Sequence, residues 1–372
     1  MKRTLLIIGC IALFTTLYGQ EIPSLKYFRD GIKHWQMQHP EGSYPRWDET
    51  DFIHIADNIV AYQNEDGGWM KNIDWLAKLN PDSVIASLTP KHRRSTIDNR
   101  NVIPQITYLA DVYQRTGNEK YRQAAERGIE YIINTQKENG GWRGWDADAI
   151  TFNDDVTTNV MQFLCDVVQG DPLFKWLSRD DINHIAAAYH KGIDVILRCQ
   201  VVQNGVKTIW AQQHDNITYE PVKARSYELP GLSAPESSPI LLMLMSIDNP
   251  SQEVKEAITC GVKWMWNNRI EGIKVEKIVI GTDSVTGKNI YDRVVVKDST
   301  VRRPIWARYY DLENNKPFFC RRSGEKVWRL ADVDYERRIG YGWYGRQPME
   351  VLKEYPDWAE RMGVPFTGFD NM

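Results

Sequence analysis

The side chains best placed to do chemistry in this sequence are carboxylates in loops and arginines toward the C-terminus. Asp98-Asn99 follows the polar run Lys91-His92-Arg93-Arg94-Ser95-Thr96 and precedes an apolar stretch expected to be helical from about Val102. Asn153-Asp154-Asp155 stands in the same relation to a helix expected from Val156. Side-chain oxygens at helix starts accept orphan amide protons, and capping is the plainer reading of each group alone. Two such loops brought together would instead offer hard oxygen ligands of the kind calcium takes, with Asn99 and Asn153 beside the carboxylates. The arginines Arg302, Arg303, Arg308, Arg321, Arg322, Arg329, Arg337, Arg338 and Arg346 crowd the last third, mostly beside Trp, Tyr and Gly. Planar guanidinium groups pair with carboxylates bidentately, so this set suits an anionic ligand. The formal net charge is only −3. Local cationic density without overall basicity fits a cleft better than a nucleic-acid surface. A serine nucleophile elbow, a catalytic Cys/His signature, a phosphate-binding glycine loop and zinc spacing are all missing.

These groups must be positioned by a repeat. Ile55 to Trp69 reads IADNIVAYQNEDGGW, Gly128 to Trp142 reads GIEYIINTQKENGGW, and Gly192 to Trp210 is a stretched copy. A weaker fourth copy starts at Gly261, and the interval is roughly 65–73 residues, suited to a helical hairpin plus loop. Apolar residues recur at helical spacing within each copy, and Gly117-Asn118 marks a turn between two of the helices. Stacked amphipathic hairpins predict an all-α fold, an α/α toroid opening on one rim. On that rim Trp69, Trp142 and Trp210 would stand as sugar-stacking platforms, or each would seal its own hairpin. The Gln-x-x-x-Gly-x-Trp pattern also resembles triterpene cyclases. This chain is short for their two-domain form and lacks their Asp-x-Asp-Asp proton donor.

The pattern changes at about 270–301, where alternating apolar positions predict a β-hairpin insertion, read as peripheral to any chemistry. Residues 1–19 combine Lys2 and Arg3 with an apolar run and a small residue at Gly19, the anatomy of a signal peptide. Residues 20–372 would then be one catalytic domain, exported to the periplasm or beyond, without a membrane span and monomeric. A lipid anchor at Cys10 is the lesser expectation. Cys165, Cys199, Cys260 and Cys320 lack metal-type spacing and read as buried free thiols.

Several separate motifs, in one order, resemble the family 10 pectate lyases. They are Asn64-Glu-Asp-Gly-Gly-Trp-Met-Lys-Asn72, Thr96-Ile-Asp-Asn-Arg100, Ile150-Thr-Phe-Asn-Asp154, Ala224-Arg-Ser-Tyr-Glu-Leu-Pro230, Trp306-Ala-Arg308 and Glu336-Arg-Arg338. The resemblance implies an α/α toroid-like domain, calcium dependence, and cleavage of polygalacturonate by β-elimination to unsaturated oligogalacturonides. By resemblance Arg308 is the catalytic base, with Arg225 the second choice. Asp98 and Asp154 are metal ligands, and Asn99, Lys71, Arg322 and Arg337 bind substrate, with Trp142 as a stacking platform. Arg321, Arg338 and Asp155 stand next to these and compete for the same roles.

In such a reaction a base removes the proton on C5 of a uronic acid, and the C4–O bond then breaks. Cations around the carboxylate stabilise the charge that develops. An arginine base requires its pKa to fall from above ~12, which crowding by other cations would favour, with an alkaline optimum as the sign. The competing expectation is a glycoside hydrolase of acidic polysaccharide using Asp98 and Asp154 as paired carboxylates. A non-catalytic glycan binder is a third reading.

Overall fold

A computed structural model describes residues 22–40 and 42–369. The expected signal peptide and Cys10 lie outside them. Among the described residues there are eleven α-helices, numbered here α1 (Arg29–Gln38), α2 (Phe52–Ala61), α3 (Pro81–Ser87), α4 (Ile103–Thr116), α5 (Glu119–Asn134), α6 (Val156–Val168), α7 (Arg179–Cys199), α8 (Ala234–Met245), α9 (Gln252–Asn267), α10 (Tyr335–Gly340) and α11 (Pro348–Met362). None is long and apolar enough to cross a membrane.

Local sequence explains the boundaries. The α4–α5 turn expected at Gly117-Asn118 is formed by Gly117 at φ 66°, after which the Asn118 side chain accepts from the Lys120 amide at 3.2 Å. Ser178 and Asp181 start α7 with a reciprocal capping box. Helices α4, α6 and α8 touch in one row, and α5, α7 and α9 in a second packed against it. The first row is the more deeply buried; in α6 even Thr157 and Thr158 are buried.

The repeat has a shared physical basis in four buried tryptophans. Each indole N–H donates to a carbonyl in the preceding helix: Trp69 to Ile59 at 2.7 Å, Trp142 to Ile132 at 2.9 Å, Trp210 to Ile196 at 2.7 Å, and Trp306 to Met265 at 2.8 Å. The repeat glutamine clamps each hairpin to the next. Gln63 reaches the carbonyls of Gly67 and Ala124, Gln136 those of Gly140 and Ala188, and Gln200 those of Thr208 and Ala257, at distances of 2.8–2.9 Å. Gly67 and Gly140 have no substitute here. At φ 86° and 94°, a Cβ on either would stand 2.3 Å from a carbonyl oxygen of the neighbouring hairpin.

The all-α toroid expectation is not what forms. The described residues are about 45% helical and carry several antiparallel sheets. A four-stranded sheet joins Leu232–Ser233, Tyr309–Tyr310, Pro317–Cys320 and Lys326–Val327. Shorter pairs join Ile150–Thr151 to Gln213–His214 and Trp306–Ala307 to Tyr344–Gly345. Strands of two to four residues leave almost no period-2 signal, whereas helices of 10–21 residues dominate any count of periodicity. The aromatic run around Tyr309, Phe318, Phe319 and Trp343 builds a second, smaller core with Tyr227. The hairpin expected at 270–301 pairs Ile273–Thr282 with Asn289–Lys297. Cys165, Cys199 and Cys320 are buried free thiols, and Cys260 is half-buried.

Candidate active site

Two tight turns abut at one end of the first helix row: Asp98–Arg100, ahead of α4, and Asn153–Asp155, ahead of α6. Asn99 and Arg100 both lie at φ 56°, Asp154 at 53° and Asp155 at 57°. Left-handed conformations of non-glycine residues cost about 1–3 kcal/mol each and concentrate at functional sites. The capping role open to these residues is not taken up, since neither turn's carboxylates nor amides cap a helix start. Arg100 instead ties the turns together through Asp155, Nη2 to Oδ2 at 2.6 Å. That leaves Asp154 as the member of its pair facing Asp98. Burial raises the pKa of Asp154, and the Asp98 carboxylate raises it further, against the opposing pull of Arg308 and Arg225. Asp98 is itself buried and holds the Lys71 ammonium.

Arg308, at the end of the strand Trp306–Ala307, points its guanidinium into this corner. Its Nη2 donates to Glu236 Oε1 at 2.6 Å and to Asn153 Oδ1 at 3.2 Å. Gln212 Nε2 reaches the same two oxygens, at 3.1 and 2.8 Å, and the Tyr309 hydroxyl donates to Gln212 Oε1 at 2.5 Å. The Tyr341 ring lies 4.6 Å from the guanidinium carbon, and Arg308 Nε is buried without a hydrogen-bond partner among the described residues. Burial would loosen the Arg308 proton, but the Glu236 carboxylate, Tyr341, Tyr309 and Asp154 outweigh it and raise the pKa. The cationic crowding expected to lower it is therefore absent; carboxylates and phenols surround this arginine. Arg225 is similar: burial pulls its pKa down, its hydrogen bond to Glu228 pulls it up, and the rise prevails.

Glu236 was not legible in the sequence as a site residue. It sits in the first turn of α8 as that helix's one ionisable residue, and burial pushes its carboxyl up to about 7 despite Arg308. A lone carboxylate in Ala-Pro-Glu-Ser-Ser-Pro-Ile-Leu-Leu was the available signal. Tyr341 was also missed. Its hydroxyl meets Tyr309 at 2.9 Å and Glu228 at 3.2 Å, linking Arg308 to Arg225.

Two aromatic rings gather the remaining cations. Around Tyr227 stand Arg225, Arg322 and Arg337, with guanidinium carbons 5.2, 5.6 and 4.9 Å from the ring centre. Around Trp145 stand Lys71, Lys91 and Arg94, at 4.4, 5.1 and 5.2 Å. The neighbours that competed with the chosen arginines are engaged elsewhere. Arg338 pairs bidentately with Asp292 of the hairpin at 2.7 and 2.8 Å, and Arg321 turns to Glu325 at 3.5 Å. Trp142 must be withdrawn as a platform. It is 0% exposed, its indole spent on Ile132, so no sugar ring can lie on it.

Two solved structures of a family 10 polysaccharide lyase from Cellvibrio cellulosa share this fold. One, a mutant in complex with trigalacturonic acid, is 30% identical, with a TM-score of 0.67 over 83% of this chain and 92% of that one. The other is 28% identical, with a TM-score of 0.68 over 92% of this chain and 98% of that one. The profile of the family described as Pectic acid lyase matches residues 63–352. The chain belongs to the pectic acid lyase family. Within this pectic acid lyase, the matched span runs from the Gln63 clamp to α11 and so includes both turns, Arg308 and both aromatic hubs. A stretch of 148 residues is also 29% identical to a squalene–hopene cyclase of Bradyrhizobium diazoefficiens, spanning 36% of this chain but only 22% of the cyclase.

Proposed function

We propose that this chain, a pectic acid lyase by family, cleaves polygalacturonate by calcium-assisted β-elimination at the corner where Asp98, Asp154 and Arg308 meet. The observation that carries the reading is the convergence of two uncapped carboxylates and a buried arginine on one spot, with further arginines on either side. The Cellvibrio relative's complex with a trimer of galacturonic acid supports the choice of polymer.

Asp98 and Asp154 suit a hard dication: the buried Asp98 carboxylate faces the more exposed one of Asp154, and desolvation and mutual repulsion already disfavour the Asp154 anion. No group of three or more His, Cys, Asp or Glu poised for a metal occurs among the described residues. The protein thus offers two carboxylates, and Asn99 is the nearby amide, because the Asn153 oxygen is already taken by Gln212 and Arg308. Calcium's usual shell of about 6–8 oxygens would draw the rest from water and from the substrate carboxylate. Bound there, calcium supplies positive charge where the C5 carbanion's charge spreads onto the uronate carboxylate.

Arg308 is the residue we assign as base. Its Nη2 is committed to Glu236 and Asn153, which leaves Nη1 as the atom free to accept the C5 proton. The flanking carboxylates hold the guanidinium proton firmly, so the base form gains population only toward alkaline pH. Arg225, half-exposed and tied to Glu228, is the second candidate. Arg322, Arg337 and Lys71 hold substrate carboxylates. Export, with residues 1–19 as a signal peptide and the remainder as one monomeric catalytic domain, completes the reading.

The test is ultraviolet absorbance of the unsaturated product from polygalacturonate, with calcium and then with chelator. A rise abolished by the chelator is expected. Arg308→Ala should lower kcat by on the order of a thousandfold or more while polymer is still retained. Activity of that variant within tenfold of wild type would move the base role to Arg225. New reducing ends without absorbance would replace elimination by hydrolysis.

A further inference from the structure

Arg94 and Arg143 line a cleft together with Ser95, Lys137, Trp145 and the wall above the buried Trp142. Neither arginine has a carboxylate partner among the described residues. Arg94 contacts the Trp145 ring and its own neighbour's carbonyl, at Lys91, at 3.4 Å. Arg143 Nε meets only the adjacent Gly144 carbonyl, at 3.3 Å. Lys137 differs, being neutralised by Asp148 at 2.5 Å. Two guanidinium groups therefore line one cleft with no carboxylate in salt-bridge contact among the described residues, at a half-buried indole.

The cleft adjoins the reacting corner. Lys71 touches both Trp145, at 4.4 Å, and Asp98. On the other side Asp146, the next residue after Trp145, lies 3.9 Å from Arg225 Nε and 3.9 Å from Lys91 Nζ. A polymer seated at Asp98 and Arg225 therefore has this cleft beside it. An aromatic face with adjoining forked donors matches a sugar ring that carries a carboxylate. Resting on the polygalacturonate reading above, we infer that Trp145, Arg94 and Arg143 form a further subsite that holds a galacturonate unit other than the one that reacts. The subsite recognises the free carboxylate, so esterified units are not retained there.

Native gels cast with polygalacturonate, or with the same polymer fully methyl-esterified, test this in the presence of chelator. The variants are Arg94→Ala/Arg143→Ala and Trp145→Ala, each checked for folding by its melting temperature. The double variant should lose retardation by the acidic polymer about tenfold in apparent affinity, while its migration in the esterified gel matches wild type. On turnover its KM for polymer should rise by a similar factor, with a much smaller fall in kcat. Trp145→Ala should weaken retention of the acidic polymer, and Trp145→Phe should restore most of it. Retardation of the double variant equal to wild type overturns the subsite. An equal loss in both gels also overturns it, since the carboxylate would not be what is read. Wild-type protein that yields no unsaturated product would instead defeat the lyase reading, and the gels would still decide the subsite.

Discussion

Glu236 shows how one buried group can set a pH dependence. Its folded carboxyl, pushed up to about 7 by burial, lies above the ordinary ~4.3 of an unfolded chain. The folded state therefore binds this proton more tightly than the unfolded state. The resulting stabilisation is complete below the unfolded value and is lost as pH rises through about 7. The shift corresponds to roughly 3 kcal/mol. In chelator, the wild-type melting temperature should fall between pH 5 and pH 8, and Glu236→Gln should flatten that fall while lowering the whole curve, since Arg308 loses its partner. Equal slopes for the two proteins would show that another group titrates. Arginines and loop carboxylates were legible at this scale because their types are unusual beside Trp and Gly. Glu236 and Tyr341 were not, because a single charged residue in a largely apolar helix or a tyrosine in a loop acquires meaning only from what folds against it.

At the scale of elements, the hairpin Ile273–Thr282/Asn289–Lys297 is tied to the site. Arg293 Nη1 donates to the Tyr341 carbonyl at 3.0 Å, and the Tyr335 hydroxyl to the Tyr291 carbonyl at 2.9 Å. The Tyr341 ring covers Arg308, so the hairpin expected to be peripheral is in contact with the residue that lies over Arg308. Arg293→Ala should lower kcat on the order of tenfold through misplacement of Tyr341, with KM nearly constant and the fold retained. A shift confined to melting temperature would make the hairpin structural only. The hairpin itself was legible from alternation over nine or ten residues. The two-residue strands that carry Arg308 and pair Ile150–Thr151 were not, because their pairing partners lie far along the chain and supply the reason they are strands.

For the molecule as a whole, the turns before α4 and α6 belong to successive hairpins of the repeat, so a dication there would bridge the two. Ligand binding only to the native state stabilises it by ~2.7 kcal/mol at a hundred times the dissociation constant. Saturating calcium should therefore raise the melting temperature by about 2–4 °C, and Asp154→Ala should abolish that rise. A rise that survives Asp154→Ala would place the ion elsewhere. Two of the hairpins were readable from the Gln-x-x-x-Gly-Gly-Trp spacing, with a stretched third copy and a weaker fourth after them. The closed helical ring was not what followed, since the C-terminal aromatic residues build a sheet and a second core whose contacts no local pattern announces.

The glutamine clamps connect residues 61, 52 and 57 positions apart, each joining one hairpin only to its successor. Native-state amide exchange should therefore divide along the hairpins rather than spread evenly. Gln136→Leu would leave the Gly140 and Ala188 carbonyls without their side-chain donor and uncouple the blocks on either side. Amides of α5 and α7 would then exchange through separate sub-global openings, while those within each hairpin kept a common rate.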